Sequence, residues 1–268
     1  MSNWKSDTIR VNGVKLYYTR TGGDKPPFVL AHGFSDDGLC WTPIAQQLEK
    51  QYDVIMVDAR GHGRSEGPEE GYGTTIMAND LAGVITGLRL SKPIVMGHSM
   101  GGATTLMLAA TYPDLPDKIV IEDAGMFNPP KPDPNNPNAG RNRMGGWIVE
   151  IKRKTREEMI AGCRINSPTW PEAELGPWAD SKLRFSFHAM SRPMSYVDWE
   201  SELPKIKCPA LLLTADTALG AIVTADGAAT MQRLIPQLQV VNIPGAGHNI
   251  RREQPEKFME TVLGFVGK

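Results

Sequence analysis

Apolar positions along the chain keep two rhythms in turn. FVLAHG (28–33), YDVIMV (52–57), PIVMGHS (93–99), KIVIEDAG (118–125), CPALLLTAD (208–216) and LQVVNIPGAGH (238–248) begin as short apolar runs and end in polar or glycine-rich loops, the signature of buried strands. Between them, Trp41–Glu49, IMANDLAGVITGLRL (76–90), ATTLMLAATYP (103–113, stopped at Pro113) and the amphipathic closing stretch PEKFMETVLGFV (255–266) carry helical spacing. TIRVNGVKLYYTRTG (8–22) alternates as a half-buried hairpin about Asn12-Gly13. The prediction is an antiparallel edge leading into a mostly parallel sheet with helices on both faces.

The rhythm breaks from residue 126 to 204. NPPKPDPNNPNAG (128–140) predicts an extended loop. Helices are expected around Trp147–Cys163 and Ala179–His188, and the segment as a whole contains Trp147, Trp170, Trp178, Phe185, Phe187, Tyr196 and Trp199. An aromatic-rich insertion after a sheet strand reads as a helical cap over the carboxyl ends of the strands, where α/β proteins bind ligands. Residues 1–125 and 205–268 then form the core and 126–204 the cap. An exposed aromatic patch there would serve a lid or a dimer face, so a homo-oligomer stays open.

With 268 residues and 41% apolar content, the chain can bury a full core without staples. Cys40, Cys163 and Cys208 are scattered and lack metal-ligand spacing, which fits a reduced compartment. MSNWKSDTIRVNGVKLYY holds no apolar run suited to a signal peptide, and no later stretch reaches membrane-span length. A cytoplasmic protein without membrane contact is expected. With 29 basic against 30 acidic residues, no overall field draws it to nucleic acid. Five dispersed histidines include no zinc motif.

The chemistry concentrates at strand ends. Gly97-His98-Ser99-Met100-Gly101 fits G-x-S-x-G between a strand and a helix, which turns the serine oxygen outward and makes Ser99 the candidate nucleophile. Asp216 ends a later strand, and His248 closes GAGH before the final helix. In a parallel sheet these ends meet, giving nucleophile, carboxylate and base in the order Ser, Asp, His. Asp123 also ends a strand, in IVIEDAG, and is the alternative acid.

HGF (32–34), DARGHGRS (58–65), GHSMGG (97–102), TAD (214–216) and GAGH (245–248) occur in an order and spacing that resemble the α/β-hydrolase superfamily, in particular its small capped esterase-like members. The resemblance covers nearly the whole chain. It implies an α/β-hydrolase fold with a helical cap, a Ser99–Asp216–His248 triad, and an oxyanion hole from the backbone N–H groups of Phe34 and Met100. Family position favours Asp216 over Asp123, although TADTALGAIV departs from the commoner Gly-x-x-Asp loop. His32, His62 and His98 read as structural.

The expectation is a cofactor-free and metal-free serine carboxylesterase for small uncharged esters, with Trp147, Phe187, His188 and Arg143 as candidate pocket residues. A lactonase, a carbon–carbon bond hydrolase of ring-cleavage products and a cofactor-free perhydrolase would share this apparatus. The carbon–carbon hydrolase needs a cap charge for a dienol carboxylate, for which Arg141, Arg143, Arg164 and Arg192 are available. A small-molecule receptor with a nearly idle triad is the non-enzyme alternative.

Overall fold

A computed structural model describes residues 4–126, 128, 142–190 and 196–267, with residues 142–145 described by backbone alone. Eight strands form one sheet: β1 Lys5–Val11, β2 Val14–Arg20, β3 Pro27–Ala31, β4 Asp53–Val57, β5 Ile94–His98, β6 Lys118–Glu122, β7 Ala210–Thr214 and β8 Leu238–Asn242. Their order is β1-β2-β4-β3-β5-β6-β7-β8, antiparallel across β1–β2 and β2–β4 and parallel from β4 onward. The hairpin turns where predicted, with Asn12 at φ 47° and Gly13 at φ 78°, as a tight type I′ connection requires.

Helices α1 Thr42–Leu48, α2 Thr74–Gly87 and α3 Met100–Thr111 alternate with the strands. Between β6 and β7 come α4 Asn142–Ile151, α5 Arg156–Asn166, α6 Glu172–Arg184, α7 Phe187–Met190 and α8 Trp199–Glu202; α9 Ala225–Leu234, α10 Ile250–Glu253 and α11 Pro255–Val266 follow. Strands β3 to β7 are buried almost throughout because both faces are covered. One apolar cluster runs from Val29 and Val95 to Leu106 and Leu212, the other from Leu30 and Met96 to Leu213 and Phe258. Alternate residues of each strand thus serve opposite layers.

The helix expected over Trp147–Cys163 is two helices. Thr155 starts the second, accepting from the Glu158 N–H while the Glu158 side chain accepts from the Thr155 N–H, a reciprocal cap that outcompetes continuation. Similarly, α6 begins at Glu172, well before the expected Ala179, and ends at Arg184. Helices α4 to α7 share an apolar centre of Ile148, Ile151, Met159, Ala179, Phe185 and Ala189, which packs onto Phe34 and Met100 of the core. The result is a mostly parallel sheet flanked by helices and crowned by a helical cap.

Candidate functional site

Ser99 lies between β5 and α3 at φ 52°, ψ −114°, a conformation costly for any residue with a Cβ. Its N–H donates to Glu122 O at 3.0 Å, and its carbonyl accepts the Ala103 N–H at 2.9 Å, so the neighbouring strand β6 and helix α3 hold the turn. The glycines make room: a Cβ on Gly97 would run into the Gly101 carbonyl, and one on Gly101 into the Ala31 carbonyl.

His248 is fixed from two sides. Its carbonyl accepts His98 Nε2–H at 2.8 Å, and its ring Nδ1 lies 2.7 Å from Asp123 Oδ2. Asp123 is fully buried and also accepts the N–H groups of Ile222 and Val223, at 2.9 and 3.0 Å. Burial, helped by Arg251 and His248, pushes His98 well below its ordinary pKa, so it remains a neutral strut.

The carboxylate facing His248 is therefore Asp123, and the preference for Asp216 is corrected. Asp216 Oδ2 accepts the Gly245 N–H at 2.7 Å, and its own N–H donates to Ala246 O at 2.9 Å. It staples the loop leading to His248 instead of reaching the ring. β6 lies directly beside β5, and β7 lies one strand further out; the Asp123 backbone, at φ 38°, turns its side chain toward His248.

Ser99 and His248 open onto a cavity of about 570 Å³ between core and cap. Phe34 and Met100, the expected amide donors, line it, as does Trp147. Phe187 and His188 do not line it; both are exposed, and Phe187 instead lies under the Lys152 ammonium at 5.1 Å. Their short helix turns outward because Phe185 and Ala189 take the inward positions. The Arg143 side chain, and Arg141 and Arg192 entirely, lie outside the described residues. Arg164 is exposed and paired with Glu172.

Among the described residues, the cations that reach the cavity are Lys182 and Arg252, neither of which the motifs singled out. Arg252 Nε donates to Glu174 at 3.0 Å, Nη1 to Asn249 at 3.1 Å and Nη2 to Asp36 at 2.9 Å, with the guanidinium 4.5 Å from the Trp170 ring. Asp36 also accepts Lys182 Nζ at 2.6 Å and Arg251 Nη2 at 3.3 Å. Burial alone would raise the Asp36 carboxyl; Arg252, Lys182 and Arg251 override it and hold that group well below the usual carboxylate range. The available signal was adjacency to motifs: Asp36 and Asp37 follow HGFS, and Arg251 and Arg252 follow HNI.

Residues 28–261 match the alpha/beta hydrolase family. The chain belongs to that family. It is 27% identical to N-formylmaleamate deformylase of Pseudomonas putida, over 96% of this chain and 95% of that protein. It is 29% identical to 2-(acetamidomethylene)succinate hydrolase of Mesorhizobium japonicum, over 92% of this chain and 90% of the relative. The crystal structure of E-2-(acetamidomethylene)succinate hydrolase superposes with a TM-score of 0.81 at 25% identity, covering 99% of this chain and 100% of the other. Fold and relatives together make this a hydrolase-type enzyme. Among the described residues no helix is long and apolar enough to cross a membrane, and no group of His, Cys, Asp and Glu is arranged to hold a metal ion.

Proposed function

We propose that the protein hydrolyses an acyl carbon–nitrogen bond in a small, carboxylate-bearing substrate through an acyl-enzyme on Ser99. The observation carrying this reading is the 2.7 Å contact between the fully buried Asp123 and His248, which lines the same cavity as Ser99. Asp123 keeps the His248 proton on Nδ1, leaving Nε2 as the base. Ser99 Oγ attacks the carbonyl carbon as its proton passes to His248, and negative charge develops on the carbonyl oxygen beside the Phe34 and Met100 amides. Collapse breaks the C–N bond while His248 returns the proton to the leaving nitrogen. Water, deprotonated by the same imidazole, then releases the acid and restores Ser99.

The carboxylate preference rests on Arg252. Among the described residues three of its five N–H bonds are engaged, one each from Nε, Nη1 and Nη2, which leaves one on each terminal nitrogen for a planar anion. Trp170 and Trp178, edge to face with centroids 6.2 Å apart, add an apolar wall suited to a flat conjugated group. The names of the two curated relatives describe N-acyl compounds bearing carboxylates, and this weighs against a small uncharged ester as the natural substrate.

The deciding experiment is steady-state hydrolysis of matched N-acyl amides, lactones and neutral esters, with and without a carboxylate. Wild type and Ser99→Ala are run together. The expected result is a higher kcat/KM for carboxylate-bearing amides, abolished in Ser99→Ala. Turnover surviving in Ser99→Ala would remove the nucleophile, while a preference for neutral esters would remove the substrate class.

A further inference from the structure

The loop after β3 is organised about one amide plane. Gly33 C=O and Phe34 N–H are opposite ends of the same planar peptide, so whatever grips the carbonyl aims the N–H. Two donors grip it, His32 Nδ1 at 2.8 Å and the Asp36 N–H at 3.2 Å. His32 carries its proton on Nδ1 because its Nε2 accepts the Ala59 N–H at 3.0 Å, and burial lowers its pKa, which keeps that neutral form.

The Asp36 N–H belongs to the next amide in the series, whose carbonyl is that of Ser35. This carbonyl accepts Lys182 Nζ at 3.1 Å. Ser35 itself sits at φ 64°, a left-handed conformation that a residue with a Cβ keeps only when its surroundings fix it. Lys182 comes from the cap helix α6 and is 1% exposed. Its other hydrogen bonds go to Asp36 Oδ1 at 2.6 Å and Ser181 Oγ at 3.2 Å, and the ammonium lies 5.3 Å from the Trp178 ring centroid. An ammonium has three protons, so Lys182 spends all of them on this junction although it lines the cavity.

We infer that Lys182 is a cap-borne positioning residue that sets the direction of the Phe34 amide. The inference rests on the proposed role of that amide at the oxyanion. The connection runs from Lys182 Nζ–H to Ser35 C=O, through the shared amide to Asp36 N–H, and from there to Gly33 C=O and Phe34 N–H. Hydrogen bonds in such a series also polarise one another, which strengthens the last donor. With α6 docked, both grips on the Gly33 carbonyl are in place; with α6 displaced, Ser35 loses its hold and the Phe34 N–H is aimed by His32 alone. Acylation of Ser99 is thereby tied to a closed cap, with α6 acting on the reacting centre without touching the substrate.

The test is the rate at which an uncharged fluorophosphonate modifies Ser99, read by intact mass across a pH series in wild type and Lys182→Met. A neutral reagent makes no demand on Arg252, and phosphonylation places a developing charge at the oxyanion position. The expected result is a rate about 10- to 100-fold lower in Lys182→Met, short of or equal to the loss of one whole oxyanion donor. The midpoint of the pH profile should stay in place, because His248 keeps Asp123. A wild-type rate in folded Lys182→Met overturns the inference, as does a rate loss accompanied by a moved midpoint, which would put the damage at His248. Should Lys182→Met lose its cooperative thermal transition, the Lys182→Met/Asp36→Asn double variant, which removes the cation and one carboxylate together, carries the same measurement and the same criteria. Wild-type Ser99 that takes no phosphonate overturns the proposed function and this inference together, whereas reactive wild type with an equally reactive variant overturns the inference alone.

Discussion

Asp123 Oδ2 stands 2.7 Å from His248 Nδ1 and is held there by two backbone N–H groups, those of Ile222 and, on its other oxygen, Val223. Asp123→Asn keeps the shape but presents an amide to a ring that needs an acceptor, which favours the wrong tautomer. The expected loss in kcat is about 10³- to 10⁴-fold. Asp216→Asn should lower kcat far less, because it weakens only the Gly245 contact. Measuring kcat for both variants on one substrate decides the assignment, and the reverse ranking would return the acid to Asp216.

The contrast between these two aspartates marks how far the sequence could be read. Strand ends, the G-x-S-x-G turn and the His248 loop are local features whose chemistry follows from neighbouring residues, and the sheet appears where the apolar runs predict it. Choosing between two strand-end aspartates requires knowing which neighbouring loop sends N–H groups to which carboxylate, and no pattern along the chain encodes that. The cap was less legible for a related reason. Phe187 and His188 look like pocket residues in FSFHAM, but the phase of a four-residue helix is set by packing of Phe185 and Ala189 against distant residues. Lys182 and Glu174 carry no motif of their own, and their partners Asp36 and Arg252 are brought to them only by the docking of α6.

Glycines around Ser99 supply a stability test. In Gly101→Ala the new methyl would meet the Ala31 carbonyl, with the His32 carbonyl only 2.7 Å away, both rigid backbone. Overpacking of this kind costs about 3 kcal/mol, so the thermal midpoint should fall sharply. Gly162→Ala is the matched control. It lies inside α5 with nothing within 4 Å of the added Cβ, and the gain in helix propensity should stabilise the protein by about 0.5–1 kcal/mol.

Asp58 gives the fold a pH dependence of unusual sign. It accepts the Gly38 and Arg64 N–H groups at 2.7 and 2.8 Å. Burial first, and then the Asp37 charge, push its pKa from 3.8 up to about 7. Between those values the folded protein retains a proton that the unfolded chain has released, so this group's contribution to stability falls as pH rises and levels off above about 7. Chemical denaturation of wild type and Asp58→Asn at about pH 5 and about pH 8 isolates the effect. The variant should lose the part of the decline that wild type shows over this interval.

Arg251 and Glu122 join the His248 loop to the strand that delivers Asp123. Arg251 donates its N–H to Glu122 Oε1 at 2.9 Å and Nη1 to Oε2 at 3.0 Å, lies 4.3 Å from the Trp41 ring, and both charged side chains are fully buried. Removing one partner strands the other. Arg251→Met should therefore cost about 3–5 kcal/mol at neutral pH. Burial already raises the Glu122 pKa against the pull of Arg251; without that pull the carboxyl rises further and accepts a proton in the folded state. The defect should consequently shrink as pH is lowered, because protonation removes the uncompensated charge. Glu122→Gln/Arg251→Met should recover much of the loss, giving a coupling energy well outside the additivity expected for independent sites. Additive losses with no pH dependence would mean that the pair contributes through packing alone, and that the His248 loop is anchored by Asp36 and His98 instead.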